Sequence, residues 1–102
     1  MKQIVVHPQF KDVVLNKEKK VTIRKGKRDF SPGETVHIGC DSFGWFPVTV
    51  TDVEYTDLGV VGWDVIADDG FRSWQDLYDT MKGFYPDIEA DTPVTIIRWE
   101  YA

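Results

Sequence analysis

The chain has 102 residues, 42% hydrophobic and 28% charged, which suits one folded domain over residues 1–102 and leaves no room for a second. A single cysteine, Cys40, excludes an intramolecular disulfide, and no apolar run approaches membrane-spanning length, so a cytoplasmic, monomeric domain is expected. The net charge is −5, yet residues 1–30 carry nine Lys/Arg against three Asp/Glu and residues 31–102 carry three against fourteen. The acidic remainder argues against a protein that wraps a long polyanion. The basic stretch from Lys17 to Arg28 suits one phosphate or another small anion, or else a solvated hairpin.

The apolar run Ile4-Val5-Val6 before His7-Pro8 is too short for the core of a signal peptide. After Pro8, the spacing of Phe10, Val13 and Val14 predicts a short helix, ended by Asn16-Lys17-Glu18. Residues 20–24 alternate, with Val21 and Ile23 on one face and Lys20, Thr22 and Arg24 on the other, as in a strand with one polar side. A charged loop containing Gly26 and the turn Ser31-Pro32-Gly33-Glu34 follow. Strands are predicted over 35–39 and 46–50, the second continuing through 52–55 past a bulge, and again over 60–66 between Gly59 and Asp68-Asp69-Gly70. Ser73-Trp74-Gln75-Asp76 opens the clearest helix with a capping-box pattern. Its apolar face is Trp74, Leu77, Tyr78 and Met81, with Gly83 at the expected C-terminal cap. A last strand over 94–101 is rich in β-branched and aromatic residues. The order implies a mostly β, α+β domain: a small closed or half-closed barrel of about five or six strands, with two short helices.

Few of the remaining side chains form a chemical motif. His7 and His37 stand in no metal-ligand spacing, so no metal is expected, and no Gly-rich phosphate loop is present, so no cofactor is expected either. Cys40 reads as a buried thiol, and Trp45 and Phe46 as core rings rather than a stacking platform for a base.

Lys19, Thr22 and Arg24 match the last three defined positions of the ASCH-domain signature Gly-x-Lys-x-x-Thr-x-Arg, while Lys17 stands at the position of its glycine. The stretch 10–15 looks like the helix before that signature, and Pro32-Gly33-Glu34-Thr35-Val36 like the turn after it. Asp69-Gly70-Phe71-Arg72-Ser73 looks like the family's Glu-Gly-Phe-x-Ser, and Tyr85-Pro86 with the last strand resembles its C-terminal part. The chain therefore resembles ASCH domains, which have a PUA-like fold. Among them it is most similar in size and pattern to small bacterial N4-acetylcytidine amidohydrolases.

The resemblance implies a hydrolase that deacylates N4-acetylcytidine or a related acylated nucleobase or nucleoside. Thr22 is then the nucleophile, Lys19 the base that takes its proton, and Asp69 the acid that handles the exocyclic nitrogen. Asp69 stands where the family has Glu, one methylene shorter. Arg24, Lys20, Phe71 and Tyr85 are expected on the substrate. A strict strand register puts Lys20, not Lys19, on the face of Thr22, so Lys19 must precede the regular strand or sit at a bulge. The alternative is a non-catalytic module binding RNA or a modified nucleoside. The implied partner is a nucleoside- or nucleobase-like small molecule, or RNA, and no membrane.

Overall fold

A computed structural model of the chain describes residues 2–101. Five strands form one sheet: β1 (Gln3–Val5), β2 (Val21–Lys25), β3 (Thr35–Cys40), β4 (Gly44–Asp57) and β5 (Pro93–Tyr101), in the spatial order β1-β3-β4-β5-β2. The pair β1–β3 is parallel and all other pairs are antiparallel. Three short helices accompany the sheet: α1 (Lys11–Leu15), α2 (Trp63–Asp68) and α3 (Trp74–Phe84).

The long β4 organises the sheet. Its first half pairs with β3 and most of its length with β5, and the register slips between Val50 and Asp52. An extra residue in one strand bends it and sharpens its twist. The sheet therefore curls into a half-barrel, and its two edge strands approach each other. Across that seam the Arg24 guanidinium of β2 donates to the Val5 carbonyl of β1 at 2.7 Å.

Strand alternation divides the core. Val21 and Ile23 of β2 and Val94 and Ile96 of β5 face a cluster completed by Leu58, Val61, Val65, Ile66, Leu77, Met81 and Ile88, under α2 and α3. Ile97 and Trp99 point the other way, into a second cluster with Ile4, Val6, Val14, Val36, Ile38, Val48 and Val50. Strand β5 is thus buried on both faces, which explains its nearly continuous apolar run.

Several local expectations need correction. Residues 60–66 are not a strand: a 3-10 turn over Leu58–Val60 leads into α2. Val61, Val65 and Ile66 are buried together at helical spacing, with Gly62 extended ahead of the helix and Asp64 in its first turn. The β-branched content of the segment favoured a strand locally, and the tertiary environment overrode it. Among the described residues the α-helices accordingly number three, not two. Strand β1 was not anticipated at all, because three residues are too few for periodicity to register. Gly83 is no cap, since α3 continues through Phe84 and ends at Tyr85. Its start is as read: the Ser73 hydroxyl accepts from the Asp76 N–H at 3.1 Å.

The chain between α1 and β2 doubles back over the helix. The N–H of Lys17 donates to Val14 O, and those of Glu18 and Lys19 both donate to Val13 O. This reversal needs a left-handed residue, and Lys17 has φ 60°. It is the position of the signature's glycine, so a residue with a Cβ is held there under strain of about 1–2 kcal/mol. Lys17→Gly is expected to raise stability by about 0.5–1 kcal/mol, the relief being partly offset by the greater freedom of glycine in the unfolded chain. Lys17→Val should lower it. Urea denaturation checks both, and a less stable glycine variant would refute the backbone explanation.

Candidate functional site

Lys19 lies just before β2, which resolves the register conflict noted above. Its N–H is held by Val13 O, and its carbonyl accepts from the Tyr101 hydroxyl. With the backbone fixed at both ends, the side chain runs inward and is only 5% exposed. Its Nζ donates to Val21 O at 2.9 Å and to Asp69 Oδ1, and sits 4.8 Å from the centroid of the Phe10 ring. Lys20 turns outward. It is exposed and takes no part in the cavity described below, so its expected substrate contact is not supported by its position.

Asp69 comes to Lys19 from the end of α2. Gly70 has φ 88°, and the N–H groups of Gly70 and Phe71 bond to Ala67 O and Ile66 O. This is a Schellman ending, which requires the left-handed residue that glycine supplies. It turns the chain so that Asp69 and Phe71 both face inward. The Asp69 side chain is 6% exposed. Burial pushes its carboxyl above the usual carboxylate range, against the opposing charges of Lys19 and Arg24. Lys19 engages Oδ1, and among the described residues Oδ2 accepts no hydrogen bond.

Thr22 and Arg24 share the other face of β2. The buried Thr22 Oγ1 accepts from Arg24 Nε at 3.1 Å, and the same guanidinium spans the seam to Val5 O. Burial lowers the Arg24 guanidinium from its ordinary value; Tyr85 opposes this, and the charge of Arg28 adds to it.

These groups meet in one cavity of about 400 Å³. Lys19, Thr22, Arg24, Asp69, Phe71 and Tyr85 all line it. So do several residues that sequence reasoning did not assign to a site: Val5 at the end of β1, Val6 and His7 after it, Phe10, and Thr80, Met81 and Phe84 of α3. The sequence pattern marks Phe10 only as part of a buried stripe. For His7 it offers only a metal-ligand role, yet its ring lies 5.8 Å from that of Phe84, tilted by 53°. Its Nδ1 accepts from Gln9 N–H at the start of the 3-10 turn. The His7-Pro8 step could have marked a fixed turn, but nothing local pointed it at α3. Among the described residues no group of three or more His, Cys, Asp or Glu side chains is placed to hold a metal ion, and no helix is long and apolar enough to cross a membrane. Cys40 is buried, as expected. Phe46 packs on the core, and Trp45 donates to Asp41.

Solved structures share this architecture. The ASCH domain from Lactobacillus crispatus JV V101 matches 98% of the chain over 79% of its own length, at 12% identity and a TM-score of 0.67. The fold is that of the ASCH domains. The hypothetical protein PH0355 matches over the full length of both chains, at 16% identity and a TM-score of 0.75. Protein EF3133 from Enterococcus faecalis V583, of the family DUF984, matches the whole chain over 80% of its own length, at 11% identity and a TM-score of 0.73. No family model matches the chain, and no curated protein does.

In this ASCH fold the Lys19–Asp69 pair ties the α2 end to the β2 edge. Removing one member of a buried pair strands the other charge, at a cost of about 3–5 kcal/mol, whereas replacing both by apolar groups is often near neutral. Asp69→Ala is expected to lose about that much, leaving the Lys19 ammonium buried without its carboxylate. Lys19→Met should lose less, because the Asp69 carboxyl can take up a proton. Lys19→Met with Asp69→Leu should fall within about 2 kcal/mol of wild type. Chemical denaturation of all four proteins decides this, and additive single effects would show that the two side chains do not act as a pair.

Proposed function

We propose that the chain is an ASCH-family amidohydrolase that removes the acyl group from N4-acetylcytidine or a closely related acylated nucleobase. The observation that carries this reading is the meeting of Thr22, Arg24 and the Lys19–Asp69 pair in one aromatic-lined cavity. Its volume is in the range of about 300–1,000 Å³ that takes small organic ligands. Phe71, Tyr85, Phe10 and Phe84 supply apolar walls for a planar base. The Asp69 Oδ2, which Lys19 does not engage, can face the exocyclic nitrogen of an acylated amino group.

The pair is proton-equivalent in two forms, ammonium with carboxylate or amine with carboxylic acid. The reading requires the shared proton to rest on Asp69, the direction in which burial moves its carboxyl, so that Lys19 Nζ can take the proton of Thr22. Thr22 Oγ attacks the acyl carbonyl carbon while its proton passes to Lys19. Asp69 protonates the exocyclic nitrogen as the carbon–nitrogen bond breaks and the cytosine leaves. The pair is then ammonium and carboxylate. Water cleaves the acyl-Thr22 ester to the free acid and restores the hydroxyl, with Arg24 beside the developing oxyanion.

A second reading, a binding module without catalysis, draws on a specific observation. Lys19 is already engaged by Val21 O, Asp69 and the Phe10 ring, and the hydrogen bond at Thr22 Oγ1 comes from a donor, Arg24, rather than from a base.

Incubation with N4-acetylcytidine, with cytidine and acetate as the products measured, separates the two. Thr22→Ala should abolish turnover and Thr22→Ser retain part of it. Lys19→Ala should reduce the rate about 10²–10⁴-fold in protein shown to be folded. Asp69→Glu restores the family's longer acid and should keep or raise the rate. Wild-type activity in Thr22→Ala would exclude Thr22 as the nucleophile. Absence of cleavage by both wild type and Asp69→Glu would leave the binding module as the function.

A further inference from the structure

A smaller cavity of about 180 Å³ abuts the first along the seam between β1 and β2. Val5, Arg24 and Tyr85 line both, so the two spaces are lobes of one cleft that meet at these residues. The smaller lobe differs in charge from the rest of the protein. Two arginines, Arg24 and Arg28, line it, and no Asp or Glu does, in a chain whose residues after position 30 carry fourteen carboxylates. Among the described residues, neither arginine has a carboxylate within ion-pair distance, whereas the neighbouring Lys25 is paired with Asp87 at 2.8 Å.

Arg28 is nevertheless held in place. Its N–H donates to Thr95 Oγ1 at 2.9 Å, its carbonyl accepts from the Tyr55 hydroxyl at 2.8 Å, and its Nε donates to Lys25 O at 2.9 Å. Arg24 is fixed by Thr22 and Val5 O. Two like charges kept close together, with no carboxylate paired to either among the described residues, repel each other until an anion arrives. Forked guanidinium donors match the oxygens of a phosphate group. The basic stretch that the sequence separates from the acidic remainder ends at this lobe.

We propose that the smaller lobe is a phosphate subsite, and that the ligand is a nucleoside monophosphate with its base in the larger lobe and its phosphate on Arg28 and Arg24. The nucleotide part rests on reading the larger lobe as a base pocket; the anion part does not. The lobe is small and the chain as a whole carries a net charge of −5, so it fits one terminal phosphate rather than the repeated phosphates of a strand.

Two measurements on wild type and Arg28→Gln test this. Both use the full chain, and the backbone bonds of residue 28 do not depend on its side chain. In the first, inorganic phosphate is titrated at low ionic strength, and the backbone amide and Nε signals of Arg24 and Arg28 are followed by NMR. They should shift in a saturable way in wild type, and binding should weaken about tenfold or more in Arg28→Gln. In the second, calorimetry compares N4-acetylcytidine with its 5′-monophosphate. The monophosphate should bind wild type about tenfold more tightly than the nucleoside. That advantage should fall to about twofold or less in Arg28→Gln, with the nucleoside affinity unchanged. Equal affinities in wild type, or no response to phosphate, overturns the subsite even where the nucleoside binds and the base pocket stands. Phosphate binding with no binding of either nucleoside or nucleotide overturns the base pocket and the nucleotide assignment, and supports the anion subsite alone. Tighter binding of an oligoribonucleotide carrying the same base internally overturns the mononucleotide assignment.

Discussion

The contact between Lys19 and Asp69 is the constraint around which this small domain is arranged. Fifty residues separate the two in sequence, and both side chains are almost fully withdrawn from solvent. Such a pair carries a large desolvation cost, and its geometry must be good to offset it. The surrounding structure supplies that geometry from both sides. The strained reversal at Lys17 delivers Lys19 inward, and the Schellman ending of α2 delivers Asp69. Neither device would be needed to pack a hydrophobic contact between the same two segments. A pair of apolar residues would hold α2 against β2 at least as well. The cost is understandable if the pair does chemistry, since a buried acid and amine that exchange one proton are useful in a reaction and otherwise an expense.

Curvature has a similar division of labour. The bulge near Val50 bends β4, so one long strand serves both β3 and β5 and the sheet rolls until its edges meet. It does not close with a ladder of backbone bonds. Arg24 bridges part of the gap with one side-chain bond to Val5 O, and the cleft occupies what remains open. Edge strands normally present unpaired backbone groups that must be blunted. Here the edges face inward across a ligand-sized gap, so the same unclosed seam protects them and forms the site. Arg24 donates to Thr22, bridges the seam to Val5 O and lines the smaller lobe, so both cavities and the seam meet at it.

Much of this was legible in the sequence. The alternation of residues 20–24 predicted which side chains of β2 share a face, and the β4 bulge and the Ser73 cap lie where they were read. The ordered resemblance to ASCH domains linked Lys19 with Asp69, which no local pattern connects. What failed was local and physical. Residues 60–66 carry strand-forming side chains but lie where only a helix buries Val61, Val65 and Ile66 together. The turn expected at Asp69-Gly70 is real, yet it ends a helix rather than a strand, and that difference sets the direction of the carboxylate. Lys20 followed the alternation onto the polar face and still ends in solvent, because the cavity begins at Thr22 and is reached from before the strand by Lys19. His7 and Phe84 carried no signal, since their meeting depends on the β1 edge passing α3.

The shorter acid bears on whether the site can work. A glutamate at position 69 would extend one methylene further from the same backbone, and shortening it could have left Lys19 beyond reach. Instead Asp69 reaches Lys19 directly, and among the described residues Oδ2 has no hydrogen-bond partner. The Schellman ending of α2 sets residue 69 close enough for the shorter side chain to make this contact. Catalytic groups need placement to within roughly 0.5 Å, and a carboxylate on a two-carbon arm has fewer rotamers to lose than one on a three-carbon arm. The substitution therefore trades reach for fixity. Such a fixed side chain, lining the cavity, is what the acid role proposed for Asp69 asks for.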